Sequence, residues 1–382
     1  METRLGDAIT VDREVQFGEI SYPFHIRAGR SSWTELRRTL TMLDADRFVV
    51  VADSGLPEHL VAEAKAHLSS IAPTVVLTAD ATERAKTLAT VDWLAEQTIR
   101  TGATRQSIVV GLGGGLVGNV AGLLAGLLFR GIRLVHLPTT LLAMSDSTLS
   151  LKQGVNSQQG KNHIGLFHPP VLVWNHLDFL ETLAPEEIRS ALCETVKNVL
   201  AIVPERYDDL ARLLRTDARY PNANLASVIN LCIDAKTAVM AEDHREKQSA
   251  LILEYGHTVG HAIELQSDGA THHGFAIGLG MLAAARMSRE LGGLDSSDEA
   301  AHRELLDRNG APTAAIGVAA EDVLGLVRLD NKRGYVPRRA STCDFILLDG
   351  LGRPRISDGS LITQVDEEIV RAGIASILSE PH

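Results

Sequence analysis

From Ser107 to Phe129 the chain carries no charged residue. Apolar sequence of that length could span a bilayer. Gly113, Gly114 and Gly115 interrupt it, directly after the β-branched run Ile108-Val109-Val110. A buried strand, a glycine turn and a helix of about three turns account for it better than a membrane span. An apolar strand that hands over at once to a helix is the pattern of a parallel sheet covered on both faces.

The neighbouring sequence repeats that alternation. Phe48 to Val51, Thr74 to Leu77, Ile132 to Leu137 and Val171 to Trp174 read as further buried strands. Pro57 stands at a helix start, and Leu88, Val91, Leu94 and Ile99 recur with helical spacing until Gly102. Beyond Pro185 the pattern changes. Pro185-Glu186-Glu187 opens a helix with acids in its positive first turn, and Ile188, Leu192, Val196 and Val199 form an apolar stripe. Helices are expected over Leu225 to Glu242, Ala250 to Gln266 and Phe275 to Leu291, with only Phe345 to Leu348 strand-like afterwards. The expectation is two domains, a mainly parallel α/β domain over residues 1–184 and a mostly helical one over 185–382. A cleft between two such halves is the default ligand site.

Composition narrows the function classes. The 382 residues carry 48 acids against 37 bases, a net charge of −11, which argues against a general nucleic-acid binder. With 4% aromatics, base-stacking platforms are not expected. Cys193, Cys232 and Cys343 are odd in number and far apart, which suits a reducing cytosol rather than a disulfide framework or thiolate zinc site. Met1 to Glu14 carries acids and lacks the apolar core of a secretory signal.

Three features carry chemistry. Gly113, Gly115 and Gly118 match GxGxxG between a strand and a helix, where backbone amides and the helix N-terminus favour a pyrophosphate. No acid follows about twenty residues on to hold a ribose, and a packing turn reads the same way. His257 and His261 lie at i and i+4 on one helix face, with His272 and His273 close behind. Imidazoles suit zinc or cobalt(II), and a carboxylate would complete the set. Glu194, placed opposite the apolar stripe with Lys197 one turn on, competes for that role with Asp243, Glu254, Glu264 and Asp268. Finally, Arg130, Thr139, Thr140, Asp146, Lys152, Asn156, Lys161 and Asn162 put charges and donors into expected loops, where an anion could bind or solvent could cover them.

Taken in order, Gly113 to Asn119, Phe129-Arg130-Gly131, Leu137-Pro138-Thr139-Thr140, Asp146-Ser147 and Gly160-Lys161-Asn162 resemble the sugar phosphate cyclases, typified by 3-dehydroquinate synthase. So do Glu194-Thr195-Val196-Lys197, Tyr255 to Glu264 and His273-Gly274, and the likeness runs from about Asp53 to Arg333. The resemblance implies a dehydroquinate synthase-like fold, tightly held NAD and a divalent metal. It also implies one site in which a ring alcohol is oxidised, phosphate is eliminated, the ketone is reduced again and an aldol step closes a carbocycle.

Residue by residue, the resemblance makes Glu194, His257 and His273 metal ligands. Lys152, Lys197, Glu254 and His261 become catalytic or proton-handling groups. Arg130, Asp146, Lys152, Lys161, Asn162, Lys236 and Lys332 become substrate contacts. Asp53, Glu83, Lys86, Gly114, Gly115, Val117, Asn119, Thr139, Thr140 and Thr182 become dinucleotide contacts, Asp53 supplying the missing ribose acid. Arg130 reaches the partner subunit in some relatives, so a cytosolic homodimer is expected.

Departures point to a branch. Seven residues before His257, where dehydroquinate synthases carry an arginine for the substrate carboxylate, stands Ala250; three before it, in place of asparagine, stands Glu254. That exchange disfavours an acid and suits a neutral polyol bearing one phosphate. Ser150-Leu151-Lys152-Gln153, Glu254 to His257 and Asp330 to Tyr335 are similar to the branch acting on D-glucose 6-phosphate. 3-Dehydroquinate synthase, 2-epi-5-epi-valiolone synthase and, from another class, an NAD-dependent metal alcohol dehydrogenase are the alternatives.

Overall fold

The computed structural model describes residues 8–378 apart from 159, 268, 331, 333 and 338, so Asp268, Asn331 and Arg333 lie outside the described residues. The chain divides into two compact units. One runs to Leu183 and includes Tyr220–Asn230; the other holds Ala184–Arg219 and the chain from Leu231 on.

The first unit opens with an antiparallel hairpin, β1 (Ile9–Phe17) and β2 (Ile20–Ala28), closed through Gly18 at φ +60°. Helix α1 (Ser31–Thr41), β3 (Phe48–Asp53), α2 (Glu58–Ser69), β4 (Thr74–Ala79), α3 (Leu88–Arg100), β5 (Ile108–Gly113), α4 (Gly115–Leu127) and β6 (Arg133–Pro138) then alternate. A second hairpin, β7 (Lys152–Ser157) and β8 (Gly160–Phe167), precedes β9 (Leu172–His176). The seven-stranded sheet has the order β1-β2-β9-β6-β5-β3-β4, parallel from β2 onward with β1 antiparallel at one edge.

Period-two alternation sorts the strand side chains between two cores. Val50, Ala52, Val110 and Leu112 pack with Trp33, Leu36 and Leu40 of α1 and Ala64 and Leu68 of α2. Val51 and Val109 face the other way, against Val91 and Leu94 of α3 and the apolar side of α4. Each buried valine or leucine among them contributes roughly 1.5–3 kcal/mol. The uncharged stretch is therefore β5 and α4, and no helix among the described residues is long and apolar enough to cross a membrane.

In the second unit, α5 (Pro185–Ala201) is followed by α6 (Tyr207–Leu213) and by α7 (Asn222–Met240), which begins in the first unit and ends in the second. Then come α8 (His257–Gln266), α9 (His273–Glu290), α10 (Ser296–Asn309) and α11 (Ala320–Val327). Two short antiparallel pairs follow, β10 (Thr342–Ile346) with β13 (Ile362–Asp366) and β11 (Leu348–Gly350) with β12 (Arg353–Pro354), and α12 (Glu367–Ala375) ends the unit. The one strand expected here, Phe345 to Leu348, straddles the end of β10 and the start of β11, because such short segments carry little periodic signal.

Two helix expectations are corrected. Helix α5 is not a one-stripe helix: every residue from Ser190 to Ala201 is buried, Glu194 and Lys197 included. The expected helix over Ala250 to Gln266 is broken, with a 3₁₀ turn at Ser249–Glu254 and α8 starting only at His257. Gly256 makes the break at φ +80°, and a Cβ there would stand 2.7 Å from Met281 Cγ of α9. Only glycine meets both demands, and the result sets His257 at a helix start beside α9.

Candidate active site

The helical unit gathers one carboxylate and two imidazoles. Glu194 Oε1 lies 3.6 Å from His257 Nε2 and 3.4 Å from His273 Nε2. All three donor atoms lie within 4.8 Å of one another. Oxygen and nitrogen ligands about 2.1 Å from a tetrahedral cation sit about 3.4 Å apart, so these spacings match the edges of such a shell. Glu194 is 1% exposed, yet Oε1 has no hydrogen-bond partner. A buried carboxylate is kept only among positive charges, and its oxygen without a hydrogen bond faces two imidazole nitrogens at ligand spacing. The donor set therefore fits a divalent cation.

The surrounding groups fix that set. Lys197 Nζ stands 2.5 Å from Glu194 Oε2. His257 Nδ1 lies 3.1 Å from Tyr255 O, and His273 Nδ1 3.2 Å from Glu264 Oε2. The His261 ring stands 5.2 Å from the ring of His257 and 6.1 Å from that of His273. Glu254 Oε2 accepts from Lys332 Nζ at 3.3 Å, and Asp330 Oδ1 from the same nitrogen at 3.1 Å.

Charge states follow from burial and neighbours. Burial favours the neutral Glu194 carboxyl, but Lys197, His257 and His273 together hold it well below the usual carboxylate range. Burial and the Lys197 ammonium push His257 down to about 4, and burial beside His257 takes His261 to about 3. His273 goes the other way: burial disfavours its charge, but the Glu194 and Glu264 carboxylates lift it to about 10. Burial also opposes charge on Lys332, which Glu254 and Asp330 outweigh, so its ammonium is held.

Geometry also decides among the competing carboxylates. Asp243 accepts from the amides of Lys247, Gln248 and Ala250 and so closes a loop. Glu254 pairs with Lys332, and Glu264 lies 3.2 Å from the far nitrogen of His273. Lys236 is buried in the same unit.

The α/β unit holds the other expected residues. Asp53 and Gly113 end the adjacent strands β3 and β5, with β4 beyond one and β6 beyond the other. Ligands bind at such a switch point, outside the carboxyl ends of the strands. Gly114 caps α4, whose first amides are free of intrahelical partners. A Cβ on Gly115 would stand 2.7 Å from Ser147 Oγ, so glycine keeps this turn open. Thr139 N donates to Gly113 O at 3.0 Å, and Thr140 Oγ1 accepts from Ala143 N at 3.1 Å. The Val117 side chain is fully buried in the core, Asn119 spends its amide on Gly115 O and Gly154 N, and Thr182 Oγ1 donates to Phe179 O.

Lys152, Asn156, Lys161 and Asn162 are not in loops but on the hairpin β7–β8, with Lys152 and Asn162 exposed. Asn156 N donates to Lys86 O at 2.8 Å, and its side-chain nitrogen donates to Glu83 O at 3.0 Å and Glu83 Oε2 at 2.6 Å. Asn162 N donates to Asn156 Oδ1 at 2.9 Å, Lys86 Nζ to Asn162 Oδ1 at 2.5 Å, and Lys161 Nζ lies 3.5 Å from Glu83 Oε1. Asp146 sits in a π-helical turn at Ala143–Ser147. Arg130 is exposed at φ +69° directly after Phe129 at φ +51°, a strained pair of non-glycine left-handed residues. Sequence reasoning missed the roles of Asn156 and Glu264. The i, i+4, i+7 spacing of His257, His261 and Glu264 was the available signal for the second.

Known proteins share this sequence and fold. The family model described as 3-dehydroquinate synthase N-terminal matches residues 76–190, and its C-terminal counterpart matches residues 191–333. The 2-deoxy-scyllo-inosose synthase of Streptoalloteichus tenebrarius is 43% identical over 369 residues, covering 96% of this chain and 95% of its own. A crystal structure of 2-deoxy-scyllo-inosose synthase complexed with carbaglucose-6-phosphate, NAD⁺ and Co²⁺ matches with a TM-score of 0.90 at 35% identity, over 96% of this chain and 100% of that one. The 2-epi-5-epi-valiolone synthase of Streptomyces hygroscopicus, with NAD⁺ and Zn²⁺ bound, shares the fold with a TM-score of 0.78 at 20% identity, over 96% and 99%.

Proposed function

This chain belongs to the 3-dehydroquinate synthase family of sugar phosphate cyclases, and from that premise we propose that it converts D-glucose 6-phosphate to 2-deoxy-scyllo-inosose and phosphate. The observation that carries this reading is the buried Glu194–His257–His273 set, in a chain whose glycine turn sits at the switch point of a parallel sheet. The enzyme is a carbon–oxygen lyase acting on a phosphate. Its product is the carbocycle from which the 2-deoxystreptamine ring of aminoglycosides is built. The branch is supported by Ala250, whose fully buried methyl offers no cation to a substrate carboxylate.

Glu194, His257 and His273 would hold zinc or cobalt(II), and the Gly113–Gly115 turn with Asp53 would hold NAD. When bound, NAD supplies reversible hydride chemistry at C4 and the cation polarises vicinal ring oxygens. The remaining chemistry belongs to the chain. Lys197, fixed by Glu194, handles the C4 hydroxyl proton. His261 is neutral near pH 7 and offers a nitrogen lone pair to a proton. Glu254, held by Lys332, accepts hydrogen bonds from ring hydroxyls or takes up a proton. Arg130, Lys152, Lys161 and Asn162 bind the phosphate and stabilise it as it leaves from C6. Oxidation and reduction at C4 cancel, and the C6–C1 bond closes the ring. The working form is a cytosolic homodimer in which Arg130 serves the partner subunit.

The test is incubation with D-glucose 6-phosphate, Co²⁺ and substoichiometric NAD⁺. Many phosphates released per NAD⁺, one cyclohexanone per phosphate and no accumulating NADH are expected. One NADH per turnover would instead mean an alcohol dehydrogenase, and turnover only of the 3-dehydroquinate precursor would refute the branch.

A further inference from the structure

Helix α8 carries His257, His261 and Glu264 along one face, and α9 starts at His273. Glu264 is nearly buried, its side chain 12% exposed, with Oε2 at 3.2 Å from His273 Nδ1. The other ring nitrogen, Nε2, lies 3.4 Å from Glu194 Oε1. The two nitrogens point to opposite sides of the ring, so Glu264 cannot reach the cation that Nε2 would meet. A carboxylate accepting from Nδ1–H fixes the neutral tautomer whose lone pair is on Nε2, sets the ring plane and raises its basicity. His257 is held in the same sense, but by the neutral carbonyl of Tyr255, with Nδ1 at 3.1 Å. The pocket is thus asymmetric: one imidazole is backed by a peptide dipole, the other by a full negative charge.

We infer that Glu264 is a positioning residue for the cation site, acting through His273 and adding charge to that ligand alone. This rests on the assignment of Glu194, His257 and His273 as ligands. A rival role for the same side chain is visible: His261, Glu264 and His273 also bring donor atoms within 4.8 Å of one another, so Glu264 could ligate a second cation.

Titration of the cation-free full chain with Co²⁺, followed by calorimetry and by the visible spectrum of the bound ion, separates these. The wild type binds one Co²⁺ per chain. Glu264→Ala weakens it by about 10–100-fold and alters the spectrum. Glu264→Gln, whose amide oxygen can still accept from Nδ1–H, falls between the two and decides the matter if the alanine variant does not fold. Unchanged affinity and spectrum in the variants overturn the inference while leaving the ligand set intact. Two Co²⁺ per wild-type chain falling to one in the variants makes Glu264 a ligand and overturns it differently. A wild type that binds no Co²⁺ removes the ligand set itself and this inference with it.

Discussion

In the α/β unit, Glu83, Lys86, Asn156, Lys161 and Asn162 spend their polar atoms largely on one another. In the helical unit, Glu194 keeps a buried oxygen with no hydrogen-bond partner beside two imidazoles. The first arrangement is stable as it stands, and a nucleotide or phosphate would meet groups already in place. The second leaves a buried carboxylate oxygen without a hydrogen bond, where a cation would be met by three ligand atoms. Side chains paired mainly with one another, Glu83, Lys86 and Lys161 among them, thus mark one unit, and a buried carboxylate with an unpartnered oxygen marks the other. Damage to the two should have different signatures.

The largest effect belongs to the charged pocket. Glu194→Gln should weaken Co²⁺ by more than about 100-fold, beyond the range for loss of an indirect support, while NAD⁺ affinity stays within a factor of about two. Equal losses of both ligands would break the contrast between the units. A middle effect belongs to the hydrogen-bonded ring. Asn156→Ala removes two or three bonds worth about 1 kcal/mol each. It should raise the KM for D-glucose 6-phosphate and the Kd for NAD⁺ by about tenfold, with Co²⁺ affinity and kcat nearly unchanged. A lower kcat with both affinities intact would deny the ring its positioning role.

The last effect leaves both ligand affinities alone and concerns stability against pH. His302 is fully buried, with Nδ1 2.7 Å from Asp298 O and Nε2 2.8 Å from Tyr255 Oη, one donor and one acceptor as a neutral ring requires. Burial depresses it to about 4. A depressed histidine contributes stability that is full above its unfolded value near 6.5 and is lost as pH falls towards about 4, up to about 3 kcal/mol for this shift. The stability gap between wild type and His302→Gln should therefore shrink between pH 6.5 and 4 in thermal unfolding. A gap that widens on acidification would mean that the ring is charged in the folded chain.

How much of this the sequence discloses differs between the units for a physical reason. Strands β3 and β5 are buried on both faces and read as apolar runs, and the glycine turn is punctuated by its own residue types. The hairpins β1–β2 and β7–β8 were missed. Lys152-Gln153-Gly154-Val155-Asn156-Ser157 carries no period-two pattern, and its pairing is fixed by contacts to residues 83–87. Helix α5 misled because its stripe was real, yet neighbours from remote sequence cover its other faces too. Gly256 falls inside the expected helix Ala250 to Gln266, and the break there depends on α9, which is remote in sequence. The two histidines of α8 were legible as a pair, but choosing Glu194 over Glu264 takes a measured distance, since both carboxylates lie near a histidine and only one faces Nε2.

The most direct measurement is an anomalous-scattering map of a crystal of the full chain grown with Co²⁺. The account predicts one peak per chain, about 2.0–2.2 Å from Glu194 Oε1, His257 Nε2 and His273 Nε2, with Glu264 outside the shell. A map without that peak, or one placing the cobalt on other residues, would contradict it.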